Sequence, residues 1–110
     1  MEQHVFSVTE VNQYIKSIID GVPQLSELLI RGELSNYKIY PSGHHYFTLK
    51  DGESAIRCVM FRGSVGKLRF RPESGMQVIA GGRISVYPRD GAYQLYCTSL
   101  SADGIGDLYV

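Results

Sequence analysis

Residues 42–62 read SGHHYFTLKDGESAIRCVMFR. Two alternating segments, His45–Lys50 and Ala55–Phe61, flank Asp51-Gly52, a dipeptide that favours hairpin turns. Successive strand side chains point to opposite faces, so alternation assigns sides. Phe47 and Leu49 are expected to face a core, with Tyr46, Thr48 and Lys50 outward. On the partner segment Ile56, Cys58 and Met60 fit the core, which puts Arg57, Val59 and Phe61 outside. Tyr46, Arg57 and Phe61 would then share one surface, and a slip of one residue would invert that assignment. Exposed rings beside a guanidinium suit a flexible polyanion with π faces. Single-stranded nucleic acid is such a polymer: its bases stack on aromatic side chains at about 1–3 kcal/mol each, and guanidinium both stacks and pairs with phosphate.

Upstream, Leu28–Ile39 reads as one long strand with Gly32 in its interior, where glycine commonly marks a bulge or bend. Such a strand can serve both halves of a closing sheet. Pro41, Ser42 and Gly43 form a turn. Downstream, residues 62–71, RGSVGKLRFR, break the alternation. Val65, Leu68 and Phe70 there could line a short helix, weakened by Gly63 and Gly66. After a turn at Pro72–Gly75, a fourth strand is expected over Met76–Tyr87, bent at Gly81-Gly82. Pro88–Gly91 is a second hairpin turn, and Ala92–Leu100 is a fifth strand. The order predicts an all-β chain with minor helix, the five-stranded Greek-key barrel of the OB fold with a short helix between strands 3 and 4. A flat five-stranded sheet would leave two exposed edges, which proteins avoid.

At the N-terminus, Ser7 and Glu10 have the spacing of a capping box, with Phe6 and Val11 placed for the hydrophobic staple. Val8, Val11, Ile15, Ile18 and Ile19 recur as one apolar stripe. This amphipathic N-terminal helix is expected to end at Gly21, with Pro23 preventing restart, and to dock its stripe on the open end of the barrel. The chain divides into a helical extension (1–22), the barrel (23–101) and a linker (102–110).

The bulk numbers agree with one domain. The chain has 110 residues with 44% apolar content, ordinary for a soluble domain. No apolar run approaches the ~18 residues that span a bilayer, and no signal peptide is visible. A cytoplasmic chain without a membrane partner is expected. Net charge is zero, yet residues 31–71 hold eight cations and three anions between acidic flanks, a distribution that focuses positive potential locally. Cys58 and Cys97 read as buried reduced thiols, with a disulfide the alternative if their strands are neighbours.

The candidate nucleic-acid contacts are Arg31, Asn36, Tyr37, Lys38, His45, Tyr46, Lys50, Arg57, Phe61, Arg62, Arg83, Tyr87, Arg89 and Tyr93. Asn36, Tyr37, Lys38 and Tyr40 lie between strands 1 and 2. Tyr87, Arg89 and Tyr93 surround the loop between strands 4 and 5. In OB folds these two loops flank the binding face. No metal is expected, because His44 and His45 point to opposite faces and lack a third ligand. No nucleophile elbow, carboxylate cluster or phosphate loop is present, so no catalytic residue, cofactor or small-molecule substrate is expected.

LSNYKIYPSGHHYFTLKDGESAIRCVMFRG and GMQVIAGGRISVYPRDGAYQLYCTSL, with VFSVTEVNQYIKSII and GELSN before them, closely resemble the N-terminal domain of exodeoxyribonuclease VII large subunits. The resemblance covers most of the chain. It implies an OB fold that binds single-stranded DNA ahead of a nuclease domain, whose catalytic residues would lie beyond Val110. It also implies a parent enzyme that degrades single-stranded DNA together with copies of a small subunit. Ser42, Gly43, His44, Tyr46, Phe47, Leu49, Lys50 and Asp51 match the family's S-G-H-x-Y-F-x-L-K-D pattern. His45 stands where a larger aromatic is common, which implies weaker stacking there. Two other readings remain open on the residues: an RNA module similar to tRNA anticodon-binding domains, and a protein assembly face.

Overall fold

The computed structural model describes residues 3–103. Helix α1 (Val8–Asp20) opens on the capping box: the Glu10 amide donates to Ser7 Oγ at 3.0 Å and the Ser7 amide to Glu10 Oε1 at 2.8 Å. Gly21 ends α1. Pro23 does not prevent restart; it begins a one-turn helix, α2 (Pro23–Ser26). Its missing N–H costs nothing at a first helical position.

Five strands follow: β1 (Leu28–Ile39), β2 (His45–Lys50), β3 (Ala55–Met60), β4 (Gln77–Tyr87) and β5 (Ala92–Ala102), with α3 (Arg62–Val65) between β3 and β4. They close into a barrel in the order β1-β2-β3-β5-β4. β1 pairs with β4 over Leu28–Glu33 and with β2 over Glu33–Ile39. One long strand thus serves both halves of the barrel. The handover sits beside Gly32, where a Cβ would lie 2.8 Å from Leu49 Cγ; only a glycine lets the two strands approach so closely.

Leu34, Leu49, Met60, Val78, Ala80 and Leu95 form the dry centre, with Val65, Leu68 and Phe70 from the α3 region packed against it. Cys58 and Cys97 are buried, free thiols. Burial pushes them up to about 12 and about 11, so both remain protonated at neutral pH. The β2–β3 turn is longer than a two-residue hairpin. Asp51 Oδ1 accepts from the Glu53 and Ser54 amides at 2.8 and 2.9 Å, and these donors hold its carboxyl below the usual range.

The apolar stripe of α1 does not dock as the sequence suggests. Val8, Val11, Ile15 and Ile18 remain exposed, and only Ile19 packs against the core. Polar groups hold the helix by another side. Asn12 Nδ2 donates to the Pro88 carbonyl at 2.8 Å, and the buried Ser85 hydroxyl donates to Asp20 Oδ1 at 2.5 Å. A buried hydroxyl needs a partner, and Asp20, also paired with Lys16, supplies it. Of the expected linker, only Ala102 and Asp103 are described: Ala102 ends β5, and Asp103 pairs with Arg31 at 2.8 Å. The remaining linker positions lie outside the described residues.

Candidate nucleic-acid interface

On β2 and β3 the observed burial follows the expected alternation. Phe47, Leu49, Cys58 and Met60 point inward, while Tyr46 and Arg57 point to solvent. Their outer side forms a groove of about 780 Å³. Among the described residues six rings line it: Tyr40, Tyr46, Phe61, Tyr87 and Tyr96, with the buried Phe47 beneath them. Tyr40, Tyr46, Phe61 and Tyr87 are 40–48% exposed, so their faces remain open to water. Tyr40 and Tyr46 lie 4.8 Å apart, Phe61 and Tyr96 6.1 Å apart. Lys38 and Arg57 are the groove's cations, Asp90 its anion, and Asn36, Thr48 and Gln94 supply neutral polar groups. Val59 is on the expected side but only 2% exposed. It pairs with Tyr46 on one strand and Tyr96 on the other, and forms the floor between them.

Six of the expected contacts line this groove: Asn36, Lys38, Tyr46, Arg57, Phe61 and Tyr87. Others stand near it. Arg83 lies over the Tyr96 ring, its Cζ 4.6 Å from the centroid, a cation–π arrangement. Arg62 begins α3 directly after Phe61, and its amide donates to His44 Nδ1 at 3.0 Å. Arg89 and Tyr93 are exposed around the β4–β5 hairpin. Two cations are occupied elsewhere on the barrel. Arg31 pairs with Asp103, and Lys50 lies 3.8 Å from Glu33.

Tyr37 and His45 depart most from the outward surface. The β1–β2 register shifts between Ser35 and Lys38, and Asn36 takes a φ of 49°, a left-handed conformation that asparagine tolerates better than most residues. The extra residue turns Tyr37 inward. Its ring stacks on Phe47 at 5.1 Å, and its hydroxyl meets Nδ1 of His45 at 2.5 Å. His45 is itself 7% exposed. Neither ring is part of the groove's lining. Burial pushes the Tyr37 hydroxyl up to about 12.

Burial also lowers the His45 imidazole below its ordinary value. An unfolded histidine titrates near about 6.5. Between the depressed folded value and 6.5 the unfolded chain binds more protons, so stability falls as the pH drops through that window. Urea unfolding near neutral pH and at about pH 5.5 is expected to show this loss, and a smaller one in His45→Gln. An equal loss in both proteins would place the sensitivity elsewhere.

Residues 6–101 match the sequence pattern of a family described as OB-fold nucleic acid binding domain. The chain belongs to that family. Among curated proteins it is 54% identical over 106 residues to the exodeoxyribonuclease 7 large subunit of Clostridium tetani, covering 96% of this chain and 27% of the relative. The exodeoxyribonuclease 7 large subunit of Clostridium acetobutylicum is 52% identical, with 96% of this chain and 26% of the relative covered. The chain therefore spans about a quarter of the length of these relatives. Among solved structures, asparaginyl-tRNA synthetase from Pyrococcus horikoshii matches with a TM-score of 0.58 and 15% identity, covering 83% of this chain and 22% of that one. The Stn1-ten1 complex of S. pombe matches with a TM-score of 0.58 and 20% identity, covering 74% and 61%. At these identities the likeness is one of fold.

Tyr96, Gln94, Thr48 and Asp90 line the groove without having been singled out as contacts from the sequence. The signal for Gln94 and Tyr96 was present: Leu95 and Cys97 are buried, so alternation sends their neighbours outward. Asp90 carried no such signal, since it belongs to a turn whose direction the strand period does not set.

Proposed function

We propose that this OB-fold domain captures single-stranded DNA for a nuclease domain elsewhere in a longer cytoplasmic polypeptide, an exodeoxyribonuclease VII large subunit working with its small subunit. The observation that carries this reading is a row of rings left open to water beside Lys38 and Arg57. Bases would stack on Tyr46, Phe61 and their neighbours, while Lys38 and Arg57 would meet phosphates. Asn36 of β1 and Tyr87 at the end of β4 would close the groove from its flanks. Every base has a π face, so binding of this kind tolerates sequence. The names of the similar curated proteins support the DNA assignment. In this reading the domain binds and the chemistry happens elsewhere.

Titration of fluorescent oligo-dT is the direct test. The isolated domain is expected to bind at micromolar or weaker dissociation constants and to lose affinity as salt rises. Absence of binding even at low salt would refute the proposal. A matched RNA oligomer in competition addresses nucleic-acid preference, because only RNA offers a 2′-hydroxyl.

A further inference from the structure

The positive charge of the central segment is not concentrated in the groove. The groove itself carries Lys38 and Arg57 against Asp90. Residues 62–71 carry Arg62, Lys67, Arg69 and Arg71 with no acidic residue among them. All four are exposed. Among the described residues the ion pairs join His4 to Glu10, Lys16 to Asp20, Arg31 to Asp103 and Lys50 to Glu33. None of these four cations takes part in one. Like charges held together on a surface without counter-charges repel one another, and a polyanion relieves that repulsion.

A second depression, of about 560 Å³, lies at this segment. Lys67 and Arg69 line it from one side and Ser64 from α3. β5 supplies the other side with Thr98, Ser99 and Ser101. Cations with hydroxyl donors are the groups that hold phosphate oxygens and sugars. The site has little to stack a base upon: among the described residues Phe70 is the one ring in its lining, and it is packed against the core. Its chemistry therefore differs from that of the groove.

The outer face of β5 connects the two places. Gln94 and Tyr96 line the groove, and Thr98, two residues further along the same strand, lines the basic depression. At about 3.3 Å per residue, Gln94 to Thr98 spans about 13 Å. Phe61 makes a second connection, since it lines the groove and directly precedes α3.

We propose that Lys67 and Arg69, with the hydroxyls of Ser64 and Ser101, form a second site that takes the phosphodiester backbone of a nucleic-acid strand running past the aromatic groove along β5. The continuity of the strand rests on the reading that the groove holds its bases. The affinity of the basic site for phosphodiester does not. The division of labour is one of chemistry: the groove stacks bases with few charges, and the basic site binds backbone without bases.

The test uses Lys67→Gln/Arg69→Gln, two exposed positions whose replacement leaves the core intact. Each phosphate contact on a single strand contributes about 0.7 to the slope of log affinity against log salt. Wild-type protein is therefore expected to lose about sevenfold more affinity for oligo-dT than the variant between about 50 and 200 mM salt. An abasic phosphodiester oligomer, which cannot stack, separates the two readings. It is expected to shift the backbone amides of residues 64–71 and 98–101 in the wild type and to leave them in place in the variant. Unmoved amides in the wild type, or equal salt slopes in the two proteins, would overturn the proposal. Failure of oligo-dT to bind while the abasic oligomer still shifts those amides would sink the groove reading and leave the basic site standing.

Discussion

Gly82→Ala is expected to lower the unfolding free energy by about 3 kcal/mol, the upper end of what overpacking a close-packed interior usually costs. The cause is local and covalently fixed. The β4–β5 register shifts between Gly81 and Gly82, which pair with Ser99 and Cys97 and skip Thr98. At that bulge a Cβ on Gly82 would overlap the Tyr96 carbonyl oxygen and sit 3.0 Å from Cys97 Cα. Both are backbone atoms, so no rotamer change relieves the overlap; the strands must part. A Cβ on Gly81 would meet Ser99 Oγ, a side-chain atom able to turn aside. Gly52→Ala is the control. Nothing lies within 4 Å of its Cβ position, and such surface changes usually stay within about 0.5 kcal/mol. Urea midpoints of the two variants should differ clearly; matching midpoints would show that the bulge relaxes at little cost.

The second large effect concerns binding. Tyr46→Ala with Phe61→Ala removes two of the exposed rings of the groove. At about 1–3 kcal/mol per stacked base, the pair is expected to weaken oligo-dT binding by roughly 30-fold or more. Both side chains are 40–48% exposed, so the loss of folding stability should be modest. Thermal melts beside the titrations separate the two. Unchanged affinity would remove stacking from the account, and a changed oligomeric state would favour the groove as an assembly surface.

The barrel was legible because its signals are local and repeat. Alternation in His45–Lys50 and Ala55–Met60, the capping box at Ser7, and glycines at the bends each state one thing about the backbone. Together they admit few architectures. The candidate site was legible where alternation continued without interruption, as at Tyr46 and Arg57, and beside the two loops, as at Asn36, Lys38 and Tyr87. Tyr37 shows why the rest was not. One additional residue beside Asn36 reverses the strand's parity, and no composition rule locates such a bulge beforehand. His45 was misplaced for another reason. Likeness to a family pattern suggested a stacking ring, while the strand period of its own neighbours, Phe47 and Leu49, put it inside. The helix stripe failed differently again: periodicity says which residues share a face, and two polar bonds, to Ser85 of β4 and to Pro88 just after it, hold the helix by another side.

The seam between β3 and β5 is the thinnest in the barrel. It is parallel and holds two register pairs, Cys58 with Leu95 and Val59 with Tyr96, against six between β2 and β3. Local opening is cheapest where a wall has the fewest bonds. Arg57 of β3 and Phe61, the residue after that strand, flank this seam on one side, and Gln94 and Tyr96 of β5 on the other. A polymer gripping both lips would work as a clasp, and closing the clasp would make the wall harder to breach. The same few residues would then govern both how firmly the guest is held and how often the host gapes.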